Sequence, residues 1–530
     1  MKACGPRRWT EGYWGREVAD VSLATDSLRA HPAVGAWLVR VRRRGYQRVL
    51  VIHTQFNLYY FWEKRWFFVA MALGAFMLTL PLPEGLSRDG LIVLTMSVVA
   101  TVLFVTEPVP LPTVALLIVV GQILLLDLDS TKVAKSLMTD SVLFIMGSLM
   151  LAVAVVKQKL DKRIAWLIVR VTGTRTSRIC FGISVVSGLL ASFIGEHTVA
   201  AMMLPVGMIL ISLTSDDAKK VRNLAAVVLF SICYGASVAG IGTPSGGARN
   251  AIMIGYWKEF FYDPTNPETS RFLVDYLRWM TYAYPMFLLQ LPLVTLVLFF
   301  TFRPEYRDLS RAVARLRAQV REEGPMKPGD WVSLVFFFAV LWAWIFVSAD
   351  IGMGTVAILG AAAFLIAGLV KWEDLNAGVN WGVVLLYAAA ISLGVEMKET
   401  GAAQWIAQSF LDLLAPIGAD QGFGLWVAVS ALTTGVTNTM SNGAAVAVLG
   451  PIVLNVASVA GESPLIIGFI TAVSSAFAYL TVVGTPACTI VYASGYLKTT
   501  DFLTVGSRMV VVSLVIMLVA ASLYWPLLDG

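Results

Sequence analysis

The sequence predicts an all-α polytopic membrane protein made of two inverted-topology repeats, each carrying a re-entrant hairpin. Three observations predict it. Apolar runs of about 17–25 residues, the length that crosses about 30 Å of hydrocarbon, recur from residue 67 to residue 525. The chain is 57% hydrophobic and only 14% charged, well away from an ordinary soluble domain. One order of elements also occurs twice: a span, an amphipathic run, a hairpin broken at a polar tip, then a helix broken at Gly-Thr-Pro. A β-barrel would need alternating strands of about ten residues, and the sequence has no such pattern.

The net charge of +6 does not point to nucleic acid, because the basic residues are confined to particular loops. Cys4, Cys180, Cys233 and Cys488 are scattered and form no Cys-x-x-Cys, so neither a disulfide framework nor a zinc site is expected.

Residues 1–65 form a basic N-terminal cytoplasmic extension centred on Arg40-Val41-Arg42-Arg43-Arg44. It lacks the apolar core of a signal peptide. It reads either as a solvated segment or as an amphipathic one lying on anionic lipid. The first membrane repeat covers 66–302. Its spans fall near 67–83, 90–106, 111–128 and 139–157, followed by an amphipathic run to Arg178. The apolar segment 179–213 is interrupted at Gly195-Glu196-His197-Thr198. Each arm has about 15 residues, short for a crossing, so the segment reads as a re-entrant hairpin. The helix 223–257 is broken at Gly240-Ile241-Gly242-Thr243-Pro244-Ser245-Gly246-Gly247-Ala248-Arg249-Asn250. Glycine and proline there free backbone carbonyls and amides. A span near 279–302 completes the repeat.

A charged cytoplasmic linker, 303–330, leads to the second repeat, 331–530. Spans near 331–347, 352–371 and 380–397 precede an amphipathic run after Lys398. A hairpin at 424–460 is broken at Thr437-Asn438-Thr439-Met440-Ser441-Asn442-Gly443, and a helix at 465–491 is broken at Val483-Gly484-Thr485-Pro486. A last span ends near Trp525.

With a cytoplasmic N-terminus, the inner loops near 158–177, 214–222 and 303–330 carry Lys162, Arg163, Arg170, Lys219, Lys220, Arg222 and an arginine-rich run. The outer segments 398–423 and 461–464 are nearly free of basic residues, as the positive-inside rule requires. The hairpins then open to opposite sides, so the repeats are inverted, as in many secondary transporters. The C-terminus falls outside.

Unsatisfied polar groups in hydrocarbon cost several kcal/mol, so two polar tips at bilayer depth mark a protein-lined or wet site. Helix N-termini following each tip offer free N–H groups and a positive dipole end to an anion.

On these motifs the chain resembles the divalent anion/sodium symporter family of dicarboxylate, citrate and sulfate carriers. The likeness covers about residues 67–528. The family's tips read Ser-Asn-Thr, followed by small residues and an apolar run to proline. The second tip here is Ser441-Asn442-Gly443, followed by Ala444-Ala445 and closing on Gly450-Pro451. The first, aligned on Ala200-Ala201-Met202-Met203-Leu204-Pro205, is Gly195-Glu196-His197. The resemblance implies about eleven transmembrane helices, a scaffold domain holding a homodimer, and an elevator-type transport domain. It implies one or two sodium ions, no organic cofactor, and a small dicarboxylate or other divalent anion as substrate. Carried over by position, Glu196, His197, Thr198, Ser441, Asn442, Gly443, Thr485, Pro486, Thr243, Pro244 and Arg249 would meet the substrate. The first sodium would take Ser192, Gly195, Glu196 and Gly242; the second would take Thr437, Ser441, Asn442 and Gly484. The bilayer implied is the plasma (inner) membrane.

The first tip departs from the family pattern, with Glu196 for asparagine, His197 for threonine and Arg249 in the facing loop. Two functional readings stay open. Glu196 could strengthen a cation site or carry a proton, tuned by His197. Alternatively Arg249 or protonated His197 could replace a sodium as fixed counter-charge, with Glu196 neutralising it when the anion leaves, which favours exchange. A purely structural Glu196–Arg249 pair is a third reading. The expected function is secondary transport of a C4-dicarboxylate such as succinate, malate or fumarate with sodium. The alternatives are a sodium-independent exchanger, a proton-coupled carrier, or a sulfate or oxyanion transporter. An enzyme is not expected: Gly235-Ala236-Ser237-Val238-Ala239 lacks the last glycine of a nucleophile elbow, and Glu196-His197 has no second histidine at metal-ligand spacing.

Overall fold

A computed structural model describes residues 61–62, 64–158, 172–215, 217–311, 313–314 and 328–529. Most of the N-terminal extension, most of the first amphipathic run and the centre of the linker therefore lie outside the described residues.

The first half consists of α1 (Arg65–Thr79), α2 (Arg88–Thr106), α3 (Leu111–Leu125), the short α4 (Ser130–Ser136), α5 (Asp140–Lys157), α6 (Thr176–Ile194), α7 (Glu196–Ser212), α8 (Arg222–Ala239), α9 (Ala248–Phe261) and α10 (Tyr276–Thr301). The second comprises α11 (Pro328–Phe346), α12 (Met353–Ile366), α13 (Trp372–Gly378), α14 (Trp381–Glu399), α15 (Ala402–Leu414), α16 (Gly422–Thr437), α17 (Asn442–Ala460), α18 (Pro464–Ser474), α19 (Pro486–Tyr492) and α20 (Thr499–Val519). Nine helices among the described residues are long and apolar enough to cross a membrane, and six more are apolar but shorter. The protein is an integral membrane protein with an all-helical fold.

Among the described residues each half contains a helix pair meeting at the predicted tip and then a broken helix, while the first amphipathic run lies outside them; the helix pairs call for one correction. The arms of the two helix pairs run to 19 and 17 residues in α6 and α7, and to 16 and 19 in α16 and α17. They are longer than the expected 15 or so, and α6 and α17 reach crossing length. Polar Thr176-Ser177-Arg178 opens α6 and Asn442-Gly443 opens α17 ahead of the apolar runs, so hydropathy alone starts them late.

The first broken helix breaks around Gly-Thr-Pro; the second, with its break expected at Val483, already ends at Ser474 and restarts at Pro486, and the two Thr-Pro turns have the same build. Thr243 sits at φ −136°, ψ 159° and Thr485 at φ −135°, ψ 149°. Each hydroxyl accepts from the N–H three residues on, Gly246 and Cys488, at 3.2 Å. This is a side-chain N-cap followed by proline at the first helical position, a standard helix start. The second break is the longer of the two, because α18 already ends at Ser474.

Close packing fixes these elements. Gly235 of α8 abuts the Ser184 backbone of α6, where a Cβ would lie 2.8 Å from its carbonyl oxygen. The Tyr256 hydroxyl donates to the carbonyls of Ala390 at 3.1 Å and Ala447 at 2.8 Å, joining α9 to α14 and α17. Tyr282 stacks on Phe469 with ring centroids 4.5 Å apart, and Trp257, Trp279 and Trp525 surround that pair.

Three segments expected on the inner side meet on one face. Leu309 donates to the Thr174 carbonyl at 2.8 Å and Thr176 to the Arg307 carbonyl at 3.0 Å. Glu305 accepts the N–H groups of Asn223 and Leu224, each at 2.9 Å, and so caps the start of α8. On the same face the Thr174 hydroxyl, followed by Ser310, holds the Asp308 carboxyl below its ordinary range.

Candidate substrate and cation site at the two tips

Each tip is a break between two helices, and the two breaks differ in kind. At the first, α6 and α7 are joined by Gly195 alone, at φ 85°, ψ 146°. That backbone conformation is open essentially to glycine only, so the sharp reversal and the residue identity explain one another. At the second, Asn438 to Ser441 connect α16 to α17, and Ser441 caps α17 in extended conformation.

The tips meet. Asn442 Nδ2 donates to Glu196 Oε1 at 3.0 Å, across 246 residues of sequence. Arg249 Nη1 lies 3.7 Å from the same oxygen. All three side chains are buried: Arg249 is 2% exposed, Asn442 5% and Glu196 7%. The structure thus brings together the charged departures of the first tip and the asparagine of the second.

The second tip is bonded to the unwound segment facing it. Thr437 Oγ1 lies 2.6 Å from the Ser475 carbonyl oxygen and 3.0 Å from Asn442 Oδ1. Asn438 clamps the loop from both ends of its amide. Its Nδ2 donates to the carbonyls of Thr434 at 2.8 Å and Phe477 at 3.1 Å, and its Oδ1 accepts from Leu480 N–H at 2.9 Å. Neutral oxygens from Thr437, Asn442 and Ser475 gather here, the donor set a hard monovalent cation prefers in discontinuous helices. The chemistry of these residues fits a sodium ion.

At the first tip the Thr243 hydroxyl donates to the Ser192 carbonyl, and Ser245 bonds Tyr276 at 2.7 Å. Asn250 Nδ2 donates to the carbonyls of Gly240 at 2.8 Å and Thr243 at 2.7 Å. Trp279 Nε1 donates to the Ile241 carbonyl at 2.9 Å. Of the expected first-sodium residues Ser192, Gly195, Glu196 and Gly242, Glu196 has Arg249 against it. A Cβ on Gly240 would run into Arg249 Nη2 and lie 3.3 Å from Glu196 Oε2. A site that already holds a guanidinium does not fit a second cation.

The other expected residues differ in exposure. His197 is exposed, its ring folded over Gly195, and Thr198 is half-buried. Pro486 is exposed whereas Pro244 is buried. The second tip bonds residues 475–481 of its facing segment, and among the described residues none of those bonds reaches Gly484. Three participants escaped the sequence reading: Asn438, Asn250, and Tyr387, whose ring lies against Gly443. Asn438 and Asn250 were visible as amides inside breaks, but Tyr387 sits in an unremarkable span.

The description "Sodium:sulfate symporter transmembrane region" matches residues 62–530. The sodium-dependent high-affinity dicarboxylate transporter 3 of Caenorhabditis elegans is 27% identical over 483 residues, covering 81% of this chain and 83% of its own length. The sodium-dependent dicarboxylate transporter SdcS of Staphylococcus saprophyticus is 26% identical over 494 residues, covering 86% of this chain and 91% of its own. The solved Alcanivorax borkumensis YdaH transporter aligns at a TM-score of 0.47 and 13% identity, over 89% of this chain and 98% of its own. With nearly its whole membrane region matched, the chain belongs to the sodium:sulfate symporter family of divalent anion/sodium symporters, and is a membrane transporter rather than an enzyme.

Proposed function

We propose that the protein is a secondary transporter of small dicarboxylates, C4 compounds such as succinate, malate or fumarate, coupled to sodium. The meeting of the two tips at the Asn442–Glu196 hydrogen bond of 3.0 Å is the observation that carries this reading. A dianion with two carboxylates needs two groups of donors facing one another, and the helix N-termini of α7 and α17 begin at the meeting point. Ser441, Asn442 and Gly443 serve one carboxylate, with the Thr243-Pro244 and Thr485-Pro486 turns beside them. Sodium binds at the second tip through Thr437, Asn442, Ser441 and the facing loop. Its charge draws in the anion, and the anion holds the cation, which is the coupling. The names of the relatives support dicarboxylate over sulfate.

Alternating access follows an elevator path in this reading. The domain carrying both tips moves against a scaffold that holds a homodimer in the plasma membrane. Clustering of the basic segments around Arg175, Arg222 and Arg307 on one face supports a cytoplasmic N-terminus, an external C-terminus and opposed re-entrant hairpins.

The test is uptake of radiolabelled succinate into proteoliposomes with an inward sodium gradient, with equal sodium on both sides, and with internal succinate as counter-substrate. Saturable, sodium-stimulated uptake is expected. If no succinate moves under any of the three conditions while sulfate does, the dicarboxylate reading fails.

A further inference from the structure

Two sodium sites in related loops call for the same chemistry twice: neutral oxygens and no fixed charge. The second loop keeps to that. Thr485-Pro486 is followed by Ala487, Cys488 and Thr489, and the facing tip is Ser441-Asn442-Gly443, so nothing there is charged. The first does not. Arg249 stands at the start of α9 and Glu196 at the start of α7. Among the described residues they form the ion pair in which both side chains are buried.

The pair is incompletely bonded. A guanidinium offers five N–H donors in a planar fork that matches a carboxylate through two parallel bonds. Here one nitrogen stands 3.7 Å from one oxygen. Arg249 Nε and Nη2 and Glu196 Oε2 have no hydrogen-bond partner among the described residues. Burying two charges in so loose a geometry is a poor way to stabilise a fold. It suits a guanidinium that takes its full set of bonds from something else. Around it the loop carbonyls of Gly240, Ile241 and Thr243 are already engaged by Asn250 and Trp279.

We propose that Arg249 is a tethered cation standing in the place of a first sodium, that Glu196 is its internal counter-ion in the substrate-free carrier, and that a substrate carboxylate displaces Glu196 from it. This rests on the proposed function for the identity of the anion. The substrate-free pair is neutral, and only the sodium at the second tip is mobile. Displacing Glu196 also frees Asn442 Nδ2, which donates to it at 3.0 Å. The other end of the same amide is 3.0 Å from Thr437. One side chain thus links the vacated anion position to the remaining cation position.

The test is succinate binding to the purified full chain in detergent, by calorimetry across a sodium series, with folding checked by size-exclusion chromatography. In the wild type the sodium curve is expected to be hyperbolic, with a Hill coefficient of about 1; a coefficient near 2 overturns the proposal. Glu196→Gln is expected to bind succinate about tenfold or more tightly, because the competing internal carboxylate is gone. Arg249→Gln is expected to lose about a hundredfold or more in succinate affinity at every sodium concentration. Weaker binding and a raised sodium requirement in Glu196→Gln would make Glu196 a cation ligand and overturn the assignment. So would Arg249→Gln with wild-type affinity. The wild-type sodium curve needs no variant and decides the matter if either substitution prevents folding. If the wild type binds no succinate, the dicarboxylate reading falls by itself. The same series is then run with sulfate, where loss in Arg249→Gln and gain in Glu196→Gln uphold the tethered cation and the opposite signs overturn it.

Discussion

Asn442 donates to Glu196 at 3.0 Å, so the tip of one repeat is hydrogen-bonded to the tip of the other through buried side chains. The asparagine is used at both ends, since its carbonyl oxygen lies 3.0 Å from the Thr437 hydroxyl. This places a single amide between the charged first tip and the neutral second one.

Asn442→Ala removes both contacts at once and leaves no replacement donor at the junction. We expect succinate uptake to fall by about a hundredfold or more, the scale of a lost positioning group in a buried polar site. Elution of the detergent-solubilised protein should be unchanged. Wild-type uptake in this variant would show that the tips do not form the site.

Thr437 gives the second tip its hydroxyl and is held 2.6 Å from the Ser475 carbonyl oxygen. Thr437→Ala should raise the half-saturating sodium concentration of uptake by about tenfold, the equivalent of about 1.4 kcal/mol. Thr437→Ser, which keeps the oxygen, should restore most of it. A sodium curve that ignores both changes would remove Thr437 from the cation site.

Gly195 holds φ 85° and ψ 146° between α6 and α7. Gly195→Ala places a Cβ on a backbone that L-residues avoid, at a cost of about 1–3 kcal/mol. The melting temperature of the purified protein should fall, and uptake should fall with it, because the strain sits beside Glu196. Unchanged melting would mean that the reversal can be made by another backbone path.

Glu305 accepts two N–H groups at the start of α8, each at 2.9 Å. Glu305→Ala should lower stability by about 1–2 kcal/mol, as for a lost helix cap, while the half-saturating concentrations of succinate and sodium stay as they were. A shift in either constant would tie this face to substrate binding.

Much of this architecture was legible in the residues. Both Thr-Pro turns, both polar tips and the broken helix after each tip follow from glycine, proline and amides interrupting apolar helices, and those signals are local. Helix starts were less legible, because Thr176-Ser177-Arg178 continues α6 through residues that hydropathy assigns to a loop. The clamp made by Asn438 and the ring of Tyr387 against Gly443 depend on contacts between separate elements, which no local pattern carries. The sequence exposed Glu196, His197 and Arg249 as departures without ranking them. Burial separates them, since Glu196 and Arg249 are buried as a pair and His197 is exposed beside Gly195.

The central claim is that the anion binds between the two tips, and a cryo-electron microscopy structure in succinate and sodium tests it most directly. The account predicts a carboxylate within hydrogen-bond distance of Asn442 and Arg249, with the Asn442–Glu196 bond opened to admit it. Succinate bound elsewhere, with Asn442 still donating to Glu196, would contradict it.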